Sequence, residues 1–312
     1  MLCGLFMVWA VFSGTAFGSE DNSRAGTRVF NFLKIQIGSR ATAMGGAFTG
    51  VANDESSLYY NPAGIAALDG KRFWAGYHNN IFEMQSGFLG YIHPIGQSRK
   101  IGLYIDYLNY GDLVRTDING IEDGTFSGSD MLFGAAYAME VAPQLSFGGA
   151  IKFIYEKIDT NLATGFAIDV GGKYTLGDER TSLGLMIQNL GMQLSAFTDG
   201  GEKYPLPLYI RGGASSYLKG LPLLVAGDLI FPTDNDIYFS LGTELLNLKP
   251  LYVRLGWTNF GLNYKTGSSK DDLAGLSAGF GVEYRRMQIS YAISPQSELG
   301  TSHRITLSGG FQ

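Results

Sequence analysis

The stretch Q-L-S-F-G-G-A-I-K-F-I-Y-E-K, residues 144 to 157, decides how the rest of the chain is read. Its side chains alternate: Leu145, Phe147, Ile151, Phe153 and Tyr155 fall on one face, and Ser146, Gly148, Ala150, Lys152 and Glu156 on the other. That is a strand with one continuous apolar face. The lysine and glutamate opposite need water or each other.

The same division recurs at 100–111, where Ile101, Leu103, Ile105 and Tyr107 oppose Gly102, Tyr104 and Asp106, and at 164–175, where Phe166, Ile168, Val170 and Tyr174 oppose Asp169 and Lys173. It returns at 250–260 and 274–285. Counted along the chain, such runs number fourteen: near 71–79, 84–95, 100–111, 129–141, 144–157, 162–175, 181–190, 205–217, 221–231, 236–246, 250–260, 272–285, 287–293 and 301–311. Every second connection is short, as at Ala142-Pro143, Lys219-Gly220 and Arg285-Arg286, while 112–128, 191–204 and 261–271 are read as long polar loops. An even strand number with alternating turn lengths fits a bacterial outer-membrane barrel, because strands cross lipid only when closure pairs every backbone group. The fold expected is therefore all-β: a transmembrane antiparallel β-barrel of about fourteen strands.

Composition agrees. Of 312 residues only 16% are charged, glycine supplies 44, and the formal net charge is -5; that balance offers no basic field for nucleic acid. The one cysteine, Cys3, sits in an apolar run over residues 2–18 that reads as a signal peptide with Ala16 and Gly18 before the cleavage point. The domains expected are a signal peptide over 1–18, an N-terminal segment over 19–70 and the barrel over 71–312.

The inward face is expected to carry Asp106, Lys152, Glu156, Asp169, Lys173, Arg211, Asp228, Glu244, Arg254, Glu283, Arg285 and Arg304. Both signs are in near balance, which points to a crosslinked or obstructed lumen more than to a charge-selective pore. Residues 29–68 have a different grammar, with clustered Gly and Ala. Gly45-Gly46 permits backbone conformations closed to other residues, and Asn61-Pro62 places an N-cap before a proline at the first helical position. Such a segment before a barrel would make a plug.

The block A-M-G-G-A (Ala43, Met44, Gly45, Gly46, Ala47), the acidic Asp54 and N-P-A-G-I-A from Asn61, Pro62, Ala63 and Gly64 onward resemble the N-terminal signature of the PorV/PorQ family, within the wider group of FadL-like outer-membrane barrels. The opening F-L-K-I-Q-I-G-S-R-A (32–41), which includes Gly38, resembles that family's start as well. The resemblance implies a barrel in the outer membrane of a Gram-negative-type bacterium, with its N-terminus periplasmic and its wall in outer-membrane lipid. PorV-type members serve type IX protein secretion or surface assembly, with translocon components and the C-terminal domains of secreted cargo as partners. FadL-like relatives instead pass hydrophobic small molecules such as long-chain fatty acids, behind an N-terminal hatch. A polar, charge-balanced interior weighs toward the secretion role, since a hydrophobic ligand prefers an apolar pocket with few polar anchors. Phe126, Phe197, Tyr204, Phe260 and Tyr264 in the loops would form either an external greasy site or an interfacial girdle.

No enzyme is expected. His78, His93 and His303 fall on separate strands, and no compact nucleophile, metal or cofactor motif occurs.

Overall fold

The computed structural model describes residues 26–311; the expected signal peptide and the first residues of the following segment lie outside them. Fourteen strands follow one another: β1 (Lys71–Asn79), β2 (Gln85–Pro94), β3 (Arg99–Thr116), β4 (Glu122–Ala142), β5 (Leu145–Ile158), β6 (Asn161–Thr175), β7 (Thr181–Ser195), β8 (Tyr209–Tyr217), β9 (Leu223–Pro232), β10 (Tyr238–Leu245), β11 (Leu251–Thr258), β12 (Leu276–Tyr284), β13 (Met287–Pro295) and β14 (Thr301–Phe311). Each pairs antiparallel with its chain neighbours, and β1 closes on β14 from Lys71↔Phe311 to Asn79↔His303. The closed barrel leaves no sheet edge unpaired.

Alternation sets which face is which. Leu103, Ile151, Leu185, Leu255 and Ile289 each keep more than half of their surface exposed, while Tyr104, Lys152, Arg254 and Asp169 are buried. The usual rule is inverted: apolar side chains outside, ionised ones within. A water-soluble protein does not present so extensive an apolar surface, whereas a lipid-facing wall requires one. No helix among the described residues is long and apolar enough to cross a membrane.

One expectation needs correction. Residues 112–128, read as a loop, continue β3 and β4 into a long hairpin whose tip is only 117–121. Asp117 makes that tip: its carboxylate accepts the backbone N–H groups of Asn119 (2.8 Å) and Ile121 (2.9 Å), and Gly120 takes φ +79°. These bonds hold the Asp117 carboxyl below its usual pKa. Turn-rich composition hid the alternation of Val114, Thr116 and Phe126 around it. Similarly, 191–195 belong to β7, and 259–273 form two 3-10 turns rather than irregular loop.

The N-terminal segment folds into the lumen. It comprises a 3-10 turn at Asn31–Lys34, helix α1 (Ser39–Ala43), helix α2 (Ser57–Tyr60) and a second 3-10 turn at Pro62–Ala67. Phe30, Phe48, Tyr60, Leu58 and Ile65 from this segment pack with Trp74, Ile92, Leu132 and Ile154 of the wall in one apolar core.

Candidate functional site

The inside of the barrel is organised by where the segment's backbone touches the wall. Gly242 of β10 and Gly256 of β11 are direct cross-strand partners. A Cβ on Gly242 would lie 2.5 Å from the Met44 carbonyl oxygen, and one on Gly256 would lie 2.0 Å from the Gly45 nitrogen. Real Cβ atoms do not approach so closely, so only glycine allows the contact. The same arrangement occurs twice more. Gly184 and Gly213, partners between β7 and β8, receive Thr49 and Gly50 at 2.0 and 2.8 Å; Gly148 and Gly171, partners between β5 and β6, receive Ala63 and Asn61 at 2.5 and 2.1 Å.

Three glycine pairs in the wall thus seat three pieces of the segment. Gly45 and Gly46 follow each other at φ +68° and +79°, which turns the chain sharply out of α1 and onto its seat. Ala43 and Ala47 are fully buried beside them. Asn61 caps the turn after it, its Oδ1 accepting the Ala63 N–H at 3.2 Å with Pro62 first in the turn. Its Nδ2 donates to the Thr49 and Gly172 carbonyls at 3.0 and 3.2 Å. Gly64 lies against the Ala52 carbonyl, and Gly38 opens α1 against the Trp74 ring.

Ionic contacts tie the same pieces to neighbouring strands. Arg40 forms a two-pronged pair with Glu244 (2.8 Å for each bond), reaches Asp54 at 2.9 Å, and shares Glu244 with Arg254 at 2.6 Å. Asp228 accepts the Phe48 and Thr49 N–H groups at 3.1 and 2.9 Å and pairs with Arg211 at 3.2 Å; Arg211 also donates to the Gly46 carbonyl at 2.7 Å. Lys173 donates to the Val51 and Ala52 carbonyls at 2.6 and 2.9 Å. Lys152 pairs with Asp169 at 2.5 Å and bonds Asn189 at 2.9 Å. Arg304 donates to the Gln36 carbonyl at 3.2 Å, and Glu283 accepts the Tyr252 hydroxyl. Asp106 and Glu156 are buried on the β3 and β5 wall; no ion pair to them occurs among the described residues, and Glu156 takes the Phe30 N–H. Arg285 stands exposed in the two-residue β12–β13 turn and borders the short-turn end of the lumen.

The segment divides the lumen. Toward the long-loop end lies a cavity of about 330 Å³, lined by Leu33, Ile35, Tyr59 and Tyr60 of the segment and by Tyr209, Tyr238, Phe260 and Tyr264 of wall and loop, with Gln188, Arg211, Ser277 and Arg304 as polar points. Its roof is stiffened by Asp271, whose carboxylate accepts the Ser297 hydroxyl and the Thr266 and Gly267 N–H groups; these bonds hold the Asp271 carboxyl below its usual pKa. Toward the short-turn end a cavity of about 750 Å³ is lined chiefly by charge, including Arg40, Asp54, Glu55, Arg72, Glu244 and Arg254. Of the loop aromatics, Phe260 and Tyr264 line the inner cavity, Phe197 packs against the core, and Phe126 and Tyr204 remain outside it. The sequence reading missed Tyr59, Tyr60, Tyr209 and Tyr238; only the strand register reveals that they converge.

Closed wall, apolar exterior and fourteen antiparallel strands together define an outer-membrane-type β-barrel. The fold is shared with the toluene transporter TodX of Pseudomonas putida (15% identity, 87% of this chain and 96% of that one, TM-score 0.58), the toluene transporter TbuX of Ralstonia pickettii (14%, 88% and 98%, TM-score 0.61) and a Pseudomonas aeruginosa FadL homologue (12%, 86% and 96%, TM-score 0.53). Identities this low establish the fold and no more. The chain belongs to the uncharacterised protein family UPF0164, whose model matches residues 7–176. No curated protein matches it in sequence.

Proposed function

We propose that this protein is a non-enzymatic channel of the bacterial outer membrane that passes hydrophobic small molecules, with the N-terminal segment as its hatch and its N-terminus on the periplasmic side. The observation that carries the reading is the inner cavity: five tyrosines, Phe260, Leu33, Ile35, Ile81, Met84 and Leu276 give it an apolar surface for a hydrophobic ligand, and Lys34, Gln36, Asn80, Gln188, Arg211 and Arg304 are among its polar anchors. The likeness in fold to proteins described as toluene transporters supports it. Several of the lumen's charges, which in sequence weigh against such a ligand, are engaged in seating the segment: Glu244 by Arg40, and Asp228 by the Phe48 and Thr49 N–H groups.

The PorV/PorQ reading, secretion of cargo bearing C-terminal sorting domains, rests on the motif block alone, and the motif residues are engaged in seating the segment. Vesicles carrying the purified barrel distinguish the two. Saturable uptake of a labelled monoaromatic compound or long-chain fatty acid is expected, and Ser240→Trp, which fills the inner cavity from β10, should reduce it at least tenfold. Absence of uptake, together with recovery of secreted proteins sharing a C-terminal domain on the tagged barrel, would replace transport by secretion.

A further inference from the structure

Four of the short turns carry exposed cations along one arc of the rim: Arg180 between β6 and β7, Lys219 between β8 and β9, Lys249 between β10 and β11, and Arg285 with Arg286 between β12 and β13. The turns are physically continuous. Tyr217 N–H bonds the Arg180 carbonyl (3.1 Å), Leu246 N–H the Pro222 carbonyl (2.8 Å), and Glu283 N–H the Pro250 carbonyl (2.8 Å). Two acidic residues lie on the arc, and one of them, Asp178, is spent capping its own turn through the Arg180 and Thr181 N–H groups. None of the five cations has a carboxylate ion-pair partner among the described residues; Lys249, Arg285 and Arg286 also border the charged cavity at the short-turn end.

Two of the same turns also expose leucine beside lysine. Leu221 follows Lys219 at 60% exposure, and Leu248 precedes Lys249 at 43%. A turn bathed in water gains nothing from an exposed leucine, and a soluble polyanion would not cover one. A bilayer interface accommodates both, with the leucine among acyl carbons and the ammonium at the headgroups. The wall below continues this order: Tyr174 and Tyr284 point outward from β6 and β12, and the Arg285 guanidinium stands 5.3 Å from the Tyr284 ring centre. The opposite rim carries both signs, with Asp117, Glu122, Asp123, Asp236 and Asp272 exposed alongside Arg115, Lys157, Lys203, Lys265 and Lys270.

We infer that the short-turn arc from Arg180 to Arg286 is a binding surface for anionic phospholipid headgroups, continuous with the apolar belt. The inference rests on the barrel spanning a bilayer and is independent of what the lumen carries. Five cations at headgroup depth concentrate anionic lipid by electrostatic attraction, which salt screens.

The test uses the whole barrel in phosphatidylcholine vesicles containing spin-labelled phosphatidylglycerol or spin-labelled phosphatidylcholine, with the motionally restricted fraction read for each. Phosphatidylglycerol should be favoured over phosphatidylcholine by roughly threefold or more at low ionic strength, and the preference should fall toward one in 1 M salt. It should fall likewise in the combined variant Lys219→Gln, Lys249→Gln, Arg285→Gln, Arg286→Gln, whose closure into a barrel is checked by its heat-dependent electrophoretic mobility. Equal restriction of both lipids by the natural protein would overturn the inference while leaving the spanning barrel intact. No restricted population of either lipid would overturn the spanning reading itself.

Discussion

Residues 43–64 and residues 28–37 both lie inside the barrel, yet they are held by different physics. The first stretch rests on three glycine pairs of the wall, and Asp228, Arg211 and Lys173 bond its backbone from neighbouring strands. The second sits off those pairs: Phe30, Phe32, Leu33 and Ile37 are buried in the apolar core, Tyr59 and Tyr60 hydroxyls donate to the Leu33 and Ile37 carbonyls (2.7 and 3.1 Å), Lys34 pairs with Asp234, and Arg28 donates to the Thr233 carbonyl at 3.3 Å. Close backbone seats fix one position by shape, whereas apolar contacts and hydrogen bonds of about 1 kcal/mol net each can re-form in another arrangement. The expected outcome is that 43–64 stays fixed and that 28–37 is the part that shifts. Both border the inner cavity, 28–37 through Leu33, Ile35 and Gln36 and the other stretch through Tyr59 and Tyr60.

The comparison breaks most visibly at the seats. Gly256→Leu puts a branched side chain where the Gly45 nitrogen lies, and the expected outcome is failure to form the heat-resistant barrel, read by electrophoretic mobility; a normally folded variant would show that the seat is not tight. Next comes Glu244→Ala. It strands Arg40 and Arg254 without their shared carboxylate, and removing one member of a buried ionic cluster costs roughly 3–5 kcal/mol, to be measured as a lowered urea midpoint in vesicles. Lys173→Met leaves the Val51 and Ala52 carbonyls without their donor and should cost about 1–3 kcal/mol in the same assay. Smallest is Tyr60→Phe: loss of the bond to Ile37 should cost about 1 kcal/mol, yet it should change uptake more than any equally mild substitution at 43–52. An uptake rate unchanged by Tyr60→Phe would remove the distinction between the two stretches.

Much of this architecture was legible in the sequence because strand periodicity is a local property. Lys152 and Glu156 against Phe153 and Tyr155 are enough to orient β5, and repeating the test finds fourteen strands within a few residues of their ends. The hairpin at 112–128 escaped because Asp117, Asn119 and Gly120 make a turn whose composition spreads the look of a loop over its flanking strands. The N-terminal segment stands out in the sequence as a motif block, but its seats in the wall do not. Nothing local indicates that Gly242 faces Gly256, or that this pair receives Met44 and Gly45, since register across a barrel is set by the whole sheet. For the same reason the sequence lists lumen charges without their partners: Arg40, which organises Glu244 and Arg254, lies in the segment and not in the wall.

The most direct measurement is amide hydrogen exchange on the barrel in bilayers, followed by peptide over residues 28–64. The account predicts slow exchange across 44–61 that is indifferent to an apolar ligand, and faster exchange across 30–37 that changes when ligand is added. Equal protection of the two stretches, or a ligand response confined to 44–61, would contradict it.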